Sequence, residues 1–214
     1  IPGTRLIMVG DVNQLPSVGP GQVLRDVIES GCFNVVMLET IFRQAKESDI
    51  VVNAHKINRG EYPEFNKSGT DFFMVKRDTA VDISQSIVDL FINRLPKAYK
   101  YNSLYQIQIL SPTRKGITGV NELNIALQKV INPPHKKKKE KAFKNITFRE
   151  GDKVMQIKND YKLPWEKDDG TQGEGVFNGD MGIISQINHE DKYMKIIFDE
   201  NRIVDYPFTF LDEL

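Results

Sequence analysis

The chain has 214 residues, 40% of them hydrophobic and 27% charged, an ordinary globular balance with room for one large domain or one and a half small ones. No apolar run approaches a membrane span, and the single Cys32 excludes an internal disulfide framework and fits a reducing cytoplasm. The 29 basic and 29 acidic side chains cancel, so bulk charge announces no polyanionic partner and any basic footprint has to be local. The sequence opens without Met at Ile1-Pro2-Gly3, almost on top of a core strand, and the expectation is a piece of a longer protein.

Leu6-Ile7-Met8-Val9 is a charge-free run bounded by Gly and Pro signals, the pattern of a buried strand in a parallel sheet. The polar stretch Gly10 to Gly21 follows. A helix is predicted around Gln22 to Ser30, with Val23, Leu24, Val27 and Ile28 at helical spacing and Gly31 as its stop. Val35 to Leu38 reads as a second strand and Glu39 to Gln44 as a short loop. The next helix starts at Ser48 or Asp49, either a good N-cap, and ends at Arg59-Gly60. This βαβα order is that of a doubly wound parallel sheet. A second α/β block opens with a strand at Phe72 to Val75. Thr79, with Asp82 three residues on, caps a helix whose buried stripe is Ile83, Ile87, Leu90, Phe91 and Leu95. Ile107 to Leu110 is the next strand, ending in the turn Ser111 to Gly116. A helix from about Thr118 to Ile131 presents Val120, Leu123, Leu127 and Val130 on one face.

Pro133-Pro134 stops that helix, and the like charges of Lys136 to Lys139 repel, so an exposed connection is expected. Beyond it the pattern turns all-β. Strands are predicted within Asp152 to Ile157, Ile183 to Ile187 and Met194 to Phe198, with a turn at Asn178-Gly179-Asp180-Met181-Gly182. These short strands point to a small SH3-like barrel, with a polar loop from Leu163 to Gly175, holding Trp165, between its first two strands.

Ligands of open α/β sheets collect beyond the carboxyl ends of the strands, where Gln14 and Arg43 both fall. A neutral amide can orient a water that attacks a phosphate. A guanidinium forks onto phosphate oxygens and stabilises the charge of phosphoryl transfer. Asp11 admits two readings, tuning of a metal site or capping of its own turn. Gly19 and Gly21 fit close approach to a ligand or plain structural need. Thr113, Arg114 and Lys115 sit in a turn at a helix start, a natural phosphate or single-strand contact. Both cations also fit a solvated face, and Asn124 fits helix packing. The lysine run 136–139 fits a solvated loop or a nucleic-acid patch. Tyr161, Trp165 and Phe177 have the rings on which bases stack; Phe177 is expected in the core and Trp165, in its polar loop, exposed. His55, His135 and His189 are scattered and no GxSxG or Cys-His arrangement occurs, so neither metal nor protease chemistry is expected.

Several words of the sequence carry a resemblance. GDxxQLPSVGPG, Gly10 to Gly21, resembles motif III of superfamily 1 DNA helicases of the RecD/TraA type, the exodeoxyribonuclease V alpha-subunit family. Leu38 to Gln44 is similar to the LxxxFRQ word of motif IV, and Ser111 to Asn124 to the SPTRKGxxGxxxLN word of the second motor domain. GDKVMQIKNDY and VFNGDMGII resemble the SH3-like insertion that helps border the single-strand channel. The resemblance runs along nearly the whole chain, in family order.

What it implies is an α/β chain: parts of two RecA-like parallel-sheet motor domains, with a small all-β SH3-like barrel inserted in the second. Residues 1–66 would close the first motor domain, 67–142 open the second, and 143–214 form the barrel. Gln14 would lie against the terminal phosphate of ATP and Arg43 contact it, with Asp11 and Gln44 lining the nucleotide site. Thr113, Arg114, Lys115, Asn124 and Trp165 would face single-stranded DNA. ATP and Mg²⁺ are the implied cofactors of the whole protein. Single-stranded DNA and other subunits of a nuclease–helicase complex are the implied partners; no membrane is. The sequence departs from the family in having no GxxxxGK[ST] loop and no Asp-Glu pair ending an earlier strand, and it stops at Leu214 where the family would continue into its TxHKSQG word. The expectation is an internal slice of a 5′–3′ helicase of recombination or repair that by itself holds no nucleotide tightly and hydrolyses none. The rival reading is a non-catalytic α/β platform for single-stranded DNA or a protein partner.

Overall fold

The computed structural model describes residues 3–14, 20–38 and 48–214 and divides into two compact units, Ile1–Lys76 and Arg77–Leu214. In the first, α1 (Val23–Glu29) and α2 (Asp49–Asn58) form where expected. Ser48 caps α2 by accepting from the Val51 N–H at 3.4 Å. Asp71 secures the same end, accepting from Ser48 Oγ at 2.6 Å and the Ile50 N–H at 3.1 Å, and the Ser48 hydroxyl holds its carboxyl below the usual range. Asn53 is buried within α2, and its amide exchanges two hydrogen bonds with the Glu64 backbone, at 2.9 and 2.8 Å. The Glu64 carboxylate lies between Lys56 and Lys67, whose ammonium groups hold its pKa down to about 2.

The parallel strands expected before residue 140 are not seen: among the described residues, Glu140 begins the first strand. Leu6 is 82% exposed, Val9 93%, Leu38 96% and Leu110 89%. A parallel strand needs a neighbouring strand to pair with and helices over its faces, and among the described residues no strand pairs with these segments. At Phe72 to Val75 side chains take over the backbone pairing. Asn66 donates to the Met74 carbonyl and accepts from the Met74 N–H, both at 3.1 Å, and Phe72 stacks on Phe65.

The second unit starts with α3 (Ala80–Asp89), capped as expected by Thr79, which accepts from the Asp82 N–H at 3.1 Å. It runs through one π turn, Leu90–Arg94, into α4 (Leu95–Tyr99); the wide turn accommodates Pro96, which has no N–H to donate. Of the expected stripe Phe91 is buried, while Ile83 stays exposed. A single turn, α5 (Ser103–Gln106), precedes α6 (Val120–Ile131), where Leu123 is buried but Val120 and Val130 are exposed.

The hairpin β1 (Glu140–Phe143) and β2 (Ile146–Arg149) leads into six antiparallel strands: β3 (Lys153–Met155), β4 (Asp160–Glu166), β5 (Gln172–Val176), β6 (Met181–Asn188), β7 (Tyr193–Phe198) and β8 (Arg202–Pro207). Their order in the sheet is β3-β6-β7-β8-β4-β5. Val176, Ile184, Ile187, Met194, Ile196, Phe198, Val204 and Leu211 form its core. Each such side chain contributes about 1.5–3 kcal/mol on burial, so the apolar stabilisation concentrates here. The buried Tyr206 hydroxyl donates to Gln156 Oε1 at 2.9 Å, and burial pushes its pKa up.

Leu163 to Gly175 is not a loop. It makes most of the β4–β5 hairpin, in which Trp165 pairs with Gly173. Its charged outward positions hide the alternation, and the pairing shifts register between Asp160 and Pro164.

A polar joint fastens α6 to this β module. Asp152 accepts from Gln128 Nε2 and Asn132 Nδ2, both at 2.6 Å, and from the Arg149 N–H at 2.7 Å. Gln128 also donates to the Thr147 carbonyl at 2.8 Å. The buried Arg149 guanidinium donates to the Asn132 carbonyl and, at 2.6 Å, to Glu140 Oε1.

Candidate functional site

In the first unit the chain leaves Leu6 to Val9 through a turn built on Asp11. One carboxylate oxygen accepts from the Asn13 N–H at 2.9 Å and the other from Gln14 Nε2 at 3.1 Å. Asp11 therefore caps its own turn, and both oxygens already have donors, which leaves it a poor metal ligand. Gln14 is exposed, so its amide can leave Asp11 for an incoming phosphate with little desolvation. Gly10 is a close-approach position: a Cβ there would lie 2.7 Å from Leu24 Cδ2 of α1. Gly21, at φ +84°, needs its glycine for the backbone itself. Arg43 and Gln44, with Gly19, lie outside the described residues. The meeting of Gln14 with Arg43 thus stands as an expectation.

In the second unit the Ser111 to Gly119 turn is folded on itself. Ser111 Oγ donates to the Thr118 carbonyl at 2.8 Å, and Gly116, at φ +87°, reverses the chain. The first N–H groups of α6 are already used: Val120 donates to the Thr113 carbonyl at 3.0 Å and Asn121 to the Arg114 carbonyl at 3.2 Å. Two of the N–H groups that a helix start would offer a phosphate are therefore taken by the turn itself. What the turn offers is side chains, with Thr113, Arg114, Lys115 and Asn124 all exposed. Gly119 makes this possible. A Cβ there would lie 2.5 Å from the Lys115 carbonyl oxygen, so only glycine lets the turn sit this close.

The aromatic residues reverse the expected order. Trp165 is half-buried, packs on the β core and covers Gly173, where a Cβ would lie 2.3 Å from its ring. The Lys167 ammonium is 5.7 Å from the Trp165 ring centroid. Phe177, expected inside, is 40% exposed and meets the more exposed Tyr161 edge-to-face, with centroids 5.5 Å apart. Asn159 holds this pair in place, donating to Tyr161 Oη at 3.2 Å and accepting from the Asn178 N–H at 2.9 Å. The sequence named both rings but not their contact, because Tyr161 and Phe177 meet only once β4 and β5 are paired.

Comparison with known proteins joins these pieces. Residues 2–73 match the family model described as an AAA domain, and residues 123–198 match that of the ATP-dependent RecD-like DNA helicase SH3 domain. The chain is 29% identical over 202 residues, 94% of its length, to the ATP-dependent RecD2 DNA helicase of Deinococcus radiodurans. The chain is similar to the RecD-type helicases along nearly its whole length. It spans 24% of the Deinococcus RecD2 helicase. DNA helicase B of Mus musculus is similar over a shorter stretch, 39% identical across 64 residues, or 29% of this chain and 6% of that protein. The RecD-like SH3 match begins at Leu123, inside α6, so it takes in the helix that the Asp152 joint fastens to the strands. Among the described residues no helix is long and apolar enough to cross a membrane.

Proposed function

We propose that the whole protein is an ATP-dependent DNA helicase that couples ATP hydrolysis to 5′–3′ movement on single-stranded DNA in recombination or repair. The observation that carries this reading is the similarity to RecD2 along 94% of the chain, through both units in one order. On this reading residues 1–66 end one RecA-like motor domain, 67–142 begin the second, and 143–214 are its SH3-like insertion. The exposed apolar segments Leu6 to Val9, Val35 to Leu38 and Ile107 to Leu110 are strands of those two sheets.

ATP with Mg²⁺ supplies the phosphoryl group whose transfer drives movement. The freely exposed Gln14 amide fits contact with its terminal phosphate, while Asp11, with both oxygens occupied, fits a supporting role that shapes the turn. Arg43 would neutralise charge on the same phosphate, and Gln44 would line the site beside it. Arg114 and Lys115 would bind DNA phosphates, Thr113 and Asn124 would flank them, and the Tyr161–Phe177 pair would stack on bases more readily than Trp165.

The deciding experiment is ATP hydrolysis by the full-length protein with and without single-stranded DNA, wild type beside Gln14→Ala and Arg43→Ala. Stimulation by DNA, lost by 100-fold or so in both variants, is expected, as for other groups that stabilise charge in the transition state. No hydrolysis by the intact protein under either condition leaves the binding-platform reading in its place.

A further inference from the structure

Six lysines and one glutamate stand between residues 135 and 145, in a chain whose net charge is zero. Several cations of the β strands and their turns pair with carboxylates: Lys158 with Asp212 and Glu213, Lys167 with Glu200, Lys195 with Asp205, and Arg202 with Asp180. Lys136, Lys137, Lys138, Lys139, Lys141 and Lys144 pair with none among the described residues. Carboxylates are close by, but other donors hold them. Glu140 is taken by Arg149, and Asp152 by Gln128, Asn132 and the Arg149 N–H. Glu150 accepts from the backbone of Ile187 at 2.9 Å and of Lys139 at 3.0 Å. Within residues 136–144 the fold leaves six positive charges without a carboxylate among those described.

The lysines are also held in place. Lys138 N–H donates to the His135 carbonyl at 2.9 Å, and Lys137 N–H lies 3.2 Å from His135 Nδ1. The Lys138 ammonium reaches the Asn132 side-chain oxygen at the end of α6. Lys141 lies over the Phe208 ring, 4.6 Å from its centroid, and Lys144 over Phe143 at 4.8 Å. A merely solvated lysine tract needs no such scaffold. The tract lies at the C-terminal end of α6, and the Arg114–Lys115 turn lies at its N-terminal end. Between the two basic clusters runs α6, whose twelve residues at 1.5 Å each make it about 18 Å long.

We propose that the lysine turn 136–139, with Lys141 and Lys144, is a second phosphate-binding surface for the phosphodiester backbone of a nucleic acid. A linear polyanion with evenly spaced charges can reach both ends of α6 at once. A compact anion cannot. Lysine suits the task, because a point charge on a flexible stem follows a backbone without reading bases. The inference rests on the DNA reading of the Arg114–Lys115 turn but goes beyond it, since no word of the helicase resemblance includes residues 136–139.

The test is equilibrium binding, without nucleotide, of the full-length protein to a labelled single strand and to a duplex across a salt series. The wild type is compared with K136Q/K137Q/K139Q and with K136R/K137R/K139R; all three side chains are exposed, and Lys138, which contacts Asn132, is left intact. Each lost phosphate contact lowers the slope of log affinity against log salt by about 0.9 on duplex or about 0.7 on a single strand. The glutamine variant is expected to bind with a slope shallower by roughly 2 to 3 on whichever form occupies the site, with the arginine variant like wild type. Unchanged slopes on both forms overturn the proposal while leaving the Arg114–Lys115 reading standing. Failure of the wild type to bind either form removes both.

Discussion

Gly119 shows how much one missing side chain can decide. Its Cβ would sit 2.5 Å from a backbone oxygen, so the Lys115 carbonyl would have to move rather than a flexible side chain. Gly119→Ala is expected to destabilise the second unit by roughly 1–3 kcal/mol, the usual cost of overpacking. It should also weaken DNA binding, because the displaced turn carries Arg114 and Lys115, although no charge is removed. Thermal unfolding beside fluorescence anisotropy with a labelled single strand checks both effects; full affinity in a stably folded variant would show that the turn's position is immaterial. The sequence word that contains Gly119 was legible, but its reason was not. Spacing shows that a glycine follows Gly116 by three; only the folded turn shows what that glycine lies against.

At the scale of elements, short-range chemistry was readable and long-range chemistry was not. Ser48 and Thr79 cap the expected helices because a cap involves residues three apart. The β4–β5 hairpin was misread as a loop because Trp165 and Gly173 become neighbours only when two strands pair. The Asp152 joint is harder still to foresee, since it gathers Gln128, Asn132 and Arg149 from a helix and a strand. A buried amide left without its partner costs roughly 1–3 kcal/mol, and Asp152 serves two side-chain amides at once. Gln128 and Asn132 keep the Thr147 and Glu150 carbonyls as second acceptors, so Asp152→Ala is expected to lower stability by about 1–3 kcal/mol. It should also speed amide exchange in the last turn of α6 while sparing the β6–β7 ladder. Uniform acceleration throughout the unit would mean that the joint has no separate identity.

For the whole molecule, the difference lies in where apolar surface is covered. The β module has a closed core, whereas Leu6, Val9, Leu38 and Leu110 stand almost fully exposed. If these segments are strands of RecA-like sheets, their amides should exchange fast in the 214-residue chain and slowly in the full-length protein. Hydrogen exchange followed by mass spectrometry makes the comparison directly, and equally fast exchange in both would count against the parallel-sheet reading. The α/β pattern was legible in these runs because a buried strand advertises itself by lacking charge. The paired sheet was not, since pairing needs partners that the described residues do not provide.

Helix α6 has a folded turn at one end and a hydrogen-bonded joint at the other, so it works as an indexed shaft. Its number of residues sets an angle as well as a length. Adding or deleting one residue between Val120 and Ile131 would advance the β module by 1.5 Å and rotate it by about 100° relative to the Arg114–Lys115 turn. A single-residue insertion, harmless in most surface loops, would here swing the lysine turn and the Tyr161–Phe177 pair onto a different side of the shaft. The helix can vary in composition along its exposed face, but not in phase.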